Sequence, residues 1–287
     1  MPPRLPSPIG AHVFVGSGLS TGALPYTRQI GAGAMQVFVS NPRGWAPAAG
    51  DPAADGAFRD ACADTGMPVY VHSAYLVNFG SPTEQTRVRS AESVRAALVR
   101  ARRIGARGLV VHAGSAVAGN RRESALAQVR EALLPILDTL TEHDPAILIE
   151  PTAGGGQPLA ATVQDLGPYF EALDNHPRLG VCLDTCHAFA AGHDLAAPGG
   201  VRQVLTSLVE AVGSGRLQLV HANDSKDSCG SARDRHENIG AGSIGAGAFA
   251  ELFRHPATRN VPVIIETPGK VAEHTADIAL LTSLRDG

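Results

Sequence analysis

Six residues of types that bind metal ions recur along the chain at intervals of 34 to 45 residues. They are His72, His112, Glu150, Asp184, His221 and Glu266. Each stands at the end of a short apolar run, where a predicted strand stops. A single histidine or carboxylate at such a position is usually hydrogen-bonded within the fold or caps a helix. Burying six such groups together without a cation would be costly, so the set predicts a metal centre.

Two local motifs extend this set of candidate ligands. Asp184-Thr-Cys-His187 places a histidine three residues after a carboxylate, where we expect the next loop to begin. Asp234-Arg-His236 lies in a long loop, and an extended backbone directs both side chains the same way. Each motif is weak by itself, because both also occur by chance in solvated loops. Together the nine imidazole and carboxylate ligands favour zinc over manganese or iron, and they suit three ions if one carboxylate bridges.

Eight strands alternating with helices would bring these residues together. The predicted strands are 9–13, 35–39, 68–72, 109–112, 146–150, 179–184, 217–221 and 261–266. The segments 83–103, 121–142 and 201–212 show the apolar spacing of helices. This alternation fits a (β/α)8 TIM barrel, whose strands all end on one face, and an open doubly wound sheet is the rival. We expect one domain over residues 9–287, after a disordered or extended tail at residues 1–8.

Composition narrows the class of protein. Hydrophobic residues make up 44% and charged residues 18%, which excludes a disordered chain. No apolar run approaches the roughly 20 residues of a membrane span, and no signal peptide is evident, so we expect a cytoplasmic protein without a membrane partner. The formal net charge of −3 argues against nucleic-acid binding through basic side chains alone. Three divalent cations would more than offset that charge.

The order of the candidate ligands resembles endonuclease IV, the zinc-dependent apurinic/apyrimidinic (AP) endonucleases among the xylose isomerase-like barrels. The most specific stretches are VCLDTCHAFAAG at 181–192, HANDSK at 221–226 and DRHENIG at 234–240. The resemblance covers nearly the whole chain and implies three zinc ions. The implied ligand sets are His72, His112 and Glu150 for the first ion, Glu150, Asp184, His221 and Glu266 for the second, and His187, Asp234 and His236 for the third.

The resemblance also implies a reaction. Such enzymes cleave duplex DNA 5′ to an abasic site, leaving a 3′-hydroxyl and a 5′-deoxyribose phosphate, and remove blocking groups from 3′ ends in base-excision repair. Clustered zinc suits this hydrolysis, because it lowers the pKa of water towards about 7 and stabilises the leaving oxygen. We therefore predict catalytic roles for Glu150, Asp184 and Glu266. We expect a monomer without a nucleotide cofactor, associated with the nucleoid when it acts on DNA.

Residues that follow the predicted strands are candidates for DNA contacts. The family inserts an arginine and a Tyr-Leu pair into the duplex at the damaged site, and Arg43, Tyr75 and Leu76 match them. Apolar wedges can replace lost stacking while the lesion is flipped out. Without the resemblance, packing of Tyr75 and Leu76 under a loop would be the simpler interpretation, and Arg43 could be a surface cation. Lys226 is expected to contact phosphate.

Three positions depart from the family pattern. Ser73, Ala113 and Pro151 stand where an acidic residue, a proline and an asparagine are common, which affects the surroundings of the ligands rather than the ligands themselves. His12 faces the cleft by position, without an assigned role. Residues 240–245 (GAGSIG) match a dinucleotide fingerprint, but no apolar strand precedes them, so we reject that site.

Two rival functions stay open on the sequence. A metal-dependent sugar isomerase or epimerase on the same barrel would need only the central ligands and would have no use for His187, Asp234 and His236. A metal-stabilised protein that binds damaged DNA without cutting it would keep all nine, because the presence of ligands does not prove turnover.

Overall fold

The strands close into a barrel in the computed structural model, which describes residues 6–47, 49–117, 121–154 and 156–287. The strands are β1 (Ile9–Val13), β2 (Ala34–Phe38), β3 (Val69–His72), β4 (Gly108–His112), β5 (Ala146–Glu150), β6 (Leu179–Asp184), β7 (Leu217–His221), β8 (Asp224–Ser225), β9 (His236–Glu237) and β10 (Val263–Ile265). β8 and β9 form a separate antiparallel hairpin after β7. The other eight are parallel and pair in chain order, with β10 closing on β1. The predicted (β/α)8 barrel is confirmed, and the open sheet is excluded.

Helices connect the strands and cover the outside of the barrel. They are α1 (Leu24–Gln29), α2 (Pro52–Ala63), α3 (Glu84–Arg103), α4 (Arg122–Leu137), α5 (Leu166–Ala172), α6 (Thr185–Ala190), α7 (Gly200–Val212), α8 (Ala246–Arg254) and α9 (Val271–Asp286). Their buried residues join the outward-facing strand residues in one large apolar core. None of the helices within the described ranges is both long and apolar enough to cross a bilayer.

Two elements, α4 and β10, differ from the sequence-based expectation by two or more residues at one end, and the other predicted ends agree to within one residue. α4 ends at Leu137 rather than 142, because the chain tightens there: the N–H groups of Thr139 and Leu140 bond to carbonyls three residues earlier. β10 spans three residues instead of 261–266, because Pro262 has no N–H to pair with a neighbour. Glu266 therefore lies one residue beyond its strand, where its N–H donates to Asn223 Oδ1.

The N-terminal tail was expected to be disordered or extended over residues 1–8. Residues 1–5 lie outside the described ranges, and residues 6–8 have neither helix nor strand. Ser7 is nevertheless buried, and its hydroxyl donates to the carbonyl of Thr258 over 2.9 Å. Ser7 therefore packs against the barrel just before β1.

Alternation along the strands divides the barrel interior into two layers. Side chains two residues apart on a strand point to the same face, so the inward positions form successive layers. The layer farther from the carboxyl ends of the strands, which we call the apolar layer, contains Ala34, Tyr70, Val110, Ala146, Leu148, Cys182, Leu219 and Ile264. It fills the barrel beneath the carboxyl ends of the strands, where active sites of this fold are built.

The tight spacing at the base of the barrel generates a prediction. A Cβ added at Gly10 of β1 would lie 1.8 Å from the main-chain oxygen of Ala34, which cannot move without shifting β2. We expect Gly10→Ala to lower the free energy of unfolding by about 1–3 kcal/mol, measured by thermal or chemical denaturation. Gly247→Ala is the matched control, because a Cβ there meets nothing within 4 Å and alanine favours a helix. Equal stability of the two variants would contradict the predicted clash.

Candidate metal centre

The inward residues at the carboxyl ends of the strands form a second layer, which we call the polar layer. Strand pairing places His112 beside Glu150 and Asp184 beside His221. The layer contains His12, Gln36, His72, His112, Glu150, Asp184, His221 and Glu266. α6 adds His187, the loop that leads into β9 adds Asp234, and β9 itself begins with His236. All nine candidate ligands thus belong to one connected cluster, although their roles as ligands stay a prediction.

Glu150 lies at the centre of this cluster, with its side chain 1% exposed. Its Oε2 is 3.2 Å from His72 Nε2 and 3.4 Å from His112 Nε2. Its Oε1 is 3.1 Å from His221 Nδ1 and 3.3 Å from His187 Nδ1. One carboxylate therefore faces two separate pairs of imidazoles, one pair with each oxygen. Each oxygen of Glu150 therefore lies beside its own set of nitrogen donors.

Asp184 combines a structural role with a place in the cluster. The backbone turns into α6 directly after it, and its Oδ1 accepts the N–H of His187, so Asp184 is the N-cap of that helix. His187 consequently lies on a helix, where the sequence had suggested the start of a loop. Asp184 Oδ2 accepts from the Asn223 amide at 2.7 Å and lies 3.7 Å from His236 Nε2.

The loop that carries Asp234 and His236 is folded around a buried carboxylate. Asp224 accepts hydrogen bonds from the N–H groups of Gly240, Ile244 and Gly245. A Cβ on Gly242 would lie 2.5 Å from this carboxylate, so only glycine permits the approach. The glycines of the rejected dinucleotide fingerprint therefore wrap an internal carboxylate. The loop places Asp234 3.0 Å from His236 Nε2 and 3.2 Å from His187 Nε2.

Main-chain carbonyls orient three of the five histidines. The Nδ1 atoms of His72, His187 and His236 lie 2.7, 3.1 and 3.1 Å from main-chain carbonyl oxygens, which belong to Ser73, Pro151 and Glu266 respectively. An Nδ1–H that donates to such an oxygen leaves the Nε2 lone pair free to bind a metal.

The three departures from the family pattern contact the site through their main chain. Ser73 and Pro151 supply carbonyl oxygens to His72 and His187, and the N–H of Ala113 donates to the carbonyl of Glu150 at 2.9 Å. Any residue type can provide these groups, except for an N–H from proline. The departures are therefore compatible with the placement of the candidate ligands.

Sequence reasoning missed two buried amides that hold the cluster in place. Gln36 Oε1 accepts a hydrogen bond from His221 Nε2 at 2.9 Å, and the Gln36 amide nitrogen donates to Glu266. Asn223 links Asp184 to the backbone of Glu266. The period of two along β2 was the available signal for Gln36, which lies two residues before the strand end.

His12, which had no assigned role in the sequence analysis, also belongs to this network. Its Nδ1 lies 2.7 Å from Glu266 Oε1, so the imidazole pairs with one of the candidate ligands. Burial lowers the pKa of His12 despite this carboxylate. The residue therefore contacts the cluster from the strand that closes the barrel.

Burial and mutual charge set the protonation of the cluster. Burial lowers the pKa of His112 to about 4, so this imidazole is neutral at pH 7. Burial also acts to lower the pKa of His187 and His221, but neighbouring groups outweigh it and raise both values well above the ordinary one: Asp184, Asp234 and Glu150 at His187, and Cys182, Glu266 and Glu150 at His221. At Glu150 burial favours the neutral acid, yet the surrounding imidazoles hold the pKa well below its ordinary value. The buried carboxylates therefore require positive charge beside them.

The arrangement of donors fits divalent cations. Ligand atoms lie within 4.8 Å of one another in the sets His72–His112–Glu150, Asp184–His187–His236 and Asp184–His221–Glu266. His236 Nε2 is buried without a hydrogen bond, although it faces Asp184 and Asp234, as expected of a ligand atom. The thiols of Cys182 and Cys186 also lie near such sets, but burial raises the pKa of each to about 12. Imidazole and carboxylate groups make up most of these sets, a combination that favours zinc.

The predicted DNA contacts lie around this centre. Tyr75 and Leu76 are 50% and 38% exposed, so they do not pack under a loop. The Tyr75 ring lies 5.6 and 5.8 Å from the rings of His72 and His112. Arg43 lies on the neighbouring loop, which the Tyr75 N–H joins at the carbonyl of Pro42.

Lys226, the fourth predicted DNA contact, is at the end of the β8–β9 hairpin. Its side chain is 43% exposed and its Nζ lies 4.0 Å from Glu237. Its N–H donates to the carbonyl of Arg235 and so ties it to the strand that begins at His236. The amine is therefore accessible to solvent and to a phosphate.

Known proteins of similar sequence and structure identify the family. A family model described as a xylose isomerase-like TIM barrel matches residues 24–284. A probable endonuclease 4 from Streptomyces coelicolor is 58% identical over 98% of this chain and 96% of its own length. The crystal structure of endonuclease IV from Thermus thermophilus has a TM-score of 0.84 at 34% identity and covers 99% of both chains. A D-tagatose 3-epimerase-like protein, with a TM-score of 0.74, 18% identity and coverage of 96% and 97%, shares the fold alone. The chain therefore belongs to the endonuclease IV family of xylose isomerase-like TIM barrels.

Proposed function

We propose that this chain is a zinc-dependent AP endonuclease that acts in DNA repair. As a member of its family it is a hydrolase that cleaves DNA. The observation that carries the more specific proposal is the position of Glu150, whose two oxygens face two pairs of imidazoles. A sugar isomerase would have no use for the further set of His187, Asp234 and His236, which also converges on this centre.

The chain's own residues would hold and orient the metal and the substrate. His72 and His112 with Glu150 would hold one zinc, Glu150 with Asp184, His221 and Glu266 a second, and His187, Asp234 and His236 a third. When bound, zinc supplies Lewis acidity that activates water near neutral pH and offsets the charge of the phosphodiester. Glu150, Asp184 and Glu266 would fix the spacing of the ions, and Gln36 and Asn223 would keep these acids in place.

The exposed loops account for lesion recognition in this proposal. An abasic nucleotide has no base to unstack, so moving it out of the duplex costs the least free energy. Tyr75 and Leu76 would fill the space left in the stack, and Arg43 and Lys226 would contact the backbone. The position of the Tyr75 ring beside two candidate ligands links this insertion to the place of cleavage.

The finer parts of the proposal concern products and setting. Cleavage 5′ to the abasic site would leave a 3′-hydroxyl and a 5′-deoxyribose phosphate, and the same centre would remove blocking groups from 3′ ends. We further propose that residues 9–287 act as one domain in a monomer. The enzyme would work in the cytoplasm, associated with the nucleoid while on DNA.

Removal of the central charge tests the metal proposal. Glu150→Gln keeps the shape but loses the anionic oxygens shared by the imidazoles, so we expect less zinc per chain after dialysis. Incision of a duplex with one abasic analogue should fall by at least about a thousandfold, since several kcal/mol of charge stabilisation would be lost. Glu210→Gln, an exposed change on α7, should affect neither measurement. Near-normal cutting by Glu150→Gln would count heavily against a bridging carboxylate.

Loss of the two apolar side chains tests lesion recognition separately. Changing Tyr75 and Leu76 together to alanine should weaken binding to an abasic duplex by about tenfold or more, which is the size of one lost stacking contact. The zinc content of this double variant should stay that of the wild type. Unchanged affinity would mean that neither side chain enters the duplex.

Zinc binding should release protons. The pKa values of His187 and His221 lie well above the ordinary value in the absence of metal, so both are positively charged imidazolium groups at pH 7. Each must lose one proton when a zinc ion binds to it. Apparent zinc affinity should therefore fall as the pH is lowered from 8 to 6. Calorimetric titration of the metal-depleted protein in buffers of different ionisation enthalpy measures the release. Identical heats in all buffers would show that these imidazoles are already neutral.

A further inference from the structure

We propose that Phe14 stacks on a nucleobase of the DNA substrate next to the site of cleavage. The proposal rests on the DNA substrate argued above and adds a recognition residue to it. Phe14 follows the last residue of β1, at the same end of the barrel as the polar layer. It contacts none of the candidate ligands through a hydrogen bond or a ring pair among the described residues.

The distribution of exposed apolar side chains first points to this residue. Six large hydrophobic side chains are exposed within the described ranges: Phe14, Tyr75, Leu76, Val88, Val99 and Val117. Val88 and Val99 lie on α3, whereas the other four follow the carboxyl ends of β1, β3 and β4. Phe14 is the most exposed of all, at 88%. Grouped exposed apolar residues mark binding surfaces, and here Phe14 and Tyr75 line one cavity beside the candidate metal centre.

The position of Phe14 between two cavities indicates what it binds. One cavity, of about 310 Å³, adjoins the polar layer and is lined by Phe14, Phe38, Tyr75 and Glu266. The other, of about 510 Å³, is lined by apolar groups including Phe14, Phe38, Leu19 and Pro42. Phe14 and Phe38 form part of both walls. A group seated in the larger cavity would therefore share this wall with a group held in the cavity beside the polar layer.

A nucleobase matches the chemistry of the larger cavity. Bases present flat apolar faces with polar edges, and the cavity combines aromatic and aliphatic walls with Ser40 and Asn41. Its volume falls in the range of about 300–1,000 Å³ that is typical of small-ligand sites. In DNA whose phosphodiester lies at the polar layer, the deoxyribose on the 5′ side of that phosphodiester carries a base. Beside an abasic site such a base has lost a stacking neighbour, which lowers the cost of moving it.

The backbone at Gly16 leaves space for the ring of Phe14. A Cβ on Gly16 would lie 2.1 Å from Phe14 Cε1, so the ring rests against the chain where no side chain intervenes. Contact with this backbone supports the ring while 88% of the residue stays accessible. An aromatic ring held in this way can stack on any base, because stacking requires only a π face.

Substitution with and without an aromatic ring tests the proposal. In steady-state incision of a duplex with one abasic analogue, Phe14→Ala should raise KM by about tenfold and leave kcat within about twofold, as for one lost base–aromatic stack. Phe14→Trp should retain the wild-type KM, whereas Phe14→Leu should not. Because no charge is removed, the salt dependence of kcat/KM should keep its slope. Val99→Ala, an exposed apolar truncation on α3, is the matched control and should behave as wild type.

A fluorescence measurement gives a readout that does not depend on cutting. Trp45 is the single tryptophan of the chain, so Phe14→Trp combined with Trp45→Phe leaves one indole at position 14. Adding the abasic duplex should quench its emission through stacking, whereas Val99→Trp in the same background should not respond.

These experiments distinguish a failure of stacking by Phe14 from a failure of the proposed function. An unchanged KM in Phe14→Ala, or full activity in Phe14→Leu, would overturn stacking by Phe14 while incision by the wild type stands. Failure of the wild type to cut the abasic duplex would instead overturn the proposed function. In that case quenching at position 14 would still support contact between Phe14 and DNA, and its absence would reject it.

Discussion

The buried carboxylate of Glu150 is the interaction on which the rest of the site depends. A carboxylate so fully removed from water is stable only if positive charge or several hydrogen-bond donors surround it. Here four imidazoles from β3, β4, β7 and α6 meet that requirement. Strand positions, an amide and main-chain carbonyls in turn hold these imidazoles. The barrel thus places the polar side chains at its strand ends around the single carboxylate of Glu150.

Much of the fold and the site could be predicted because the barrel repeats. Each β/α unit contributes one strand end, so a ligand type recurring every 34 to 45 residues already indicates convergence. His72, Glu150 and His221 could be placed from that rule alone. Helix and strand ends were less predictable where local chemistry intervened, as at Pro262 before β10 and in the turn after Leu137.

The groups that the sequence did not reveal act through hydrogen bonds between distant segments. Gln36 contacts His221 across 185 residues of chain, and no local motif marks it. Asp224 looks like a routine loop acid, yet it organises three N–H groups up to 21 residues away. Hydrogen bonds to main-chain carbonyls such as that of Pro151 cannot be predicted from residue type, because every residue has a carbonyl group. These contacts form only when the barrel closes, so the spacing of residues along the sequence could not predict them.

The hairpin after β7 has a consequence for how this barrel diversifies. Asp234 and His236 lie on an excursion organised by Asp224, and the strands of the barrel close without it. Sequence change there would remove two of the candidate ligands and leave the eight-stranded frame and Glu150 in place. Proteins that share this frame at 12–18% identity include sugar epimerases. Because the β8–β9 hairpin lies outside the strand pairing of the barrel, its residues can change without rebuilding the core, and one scaffold can therefore carry different sites.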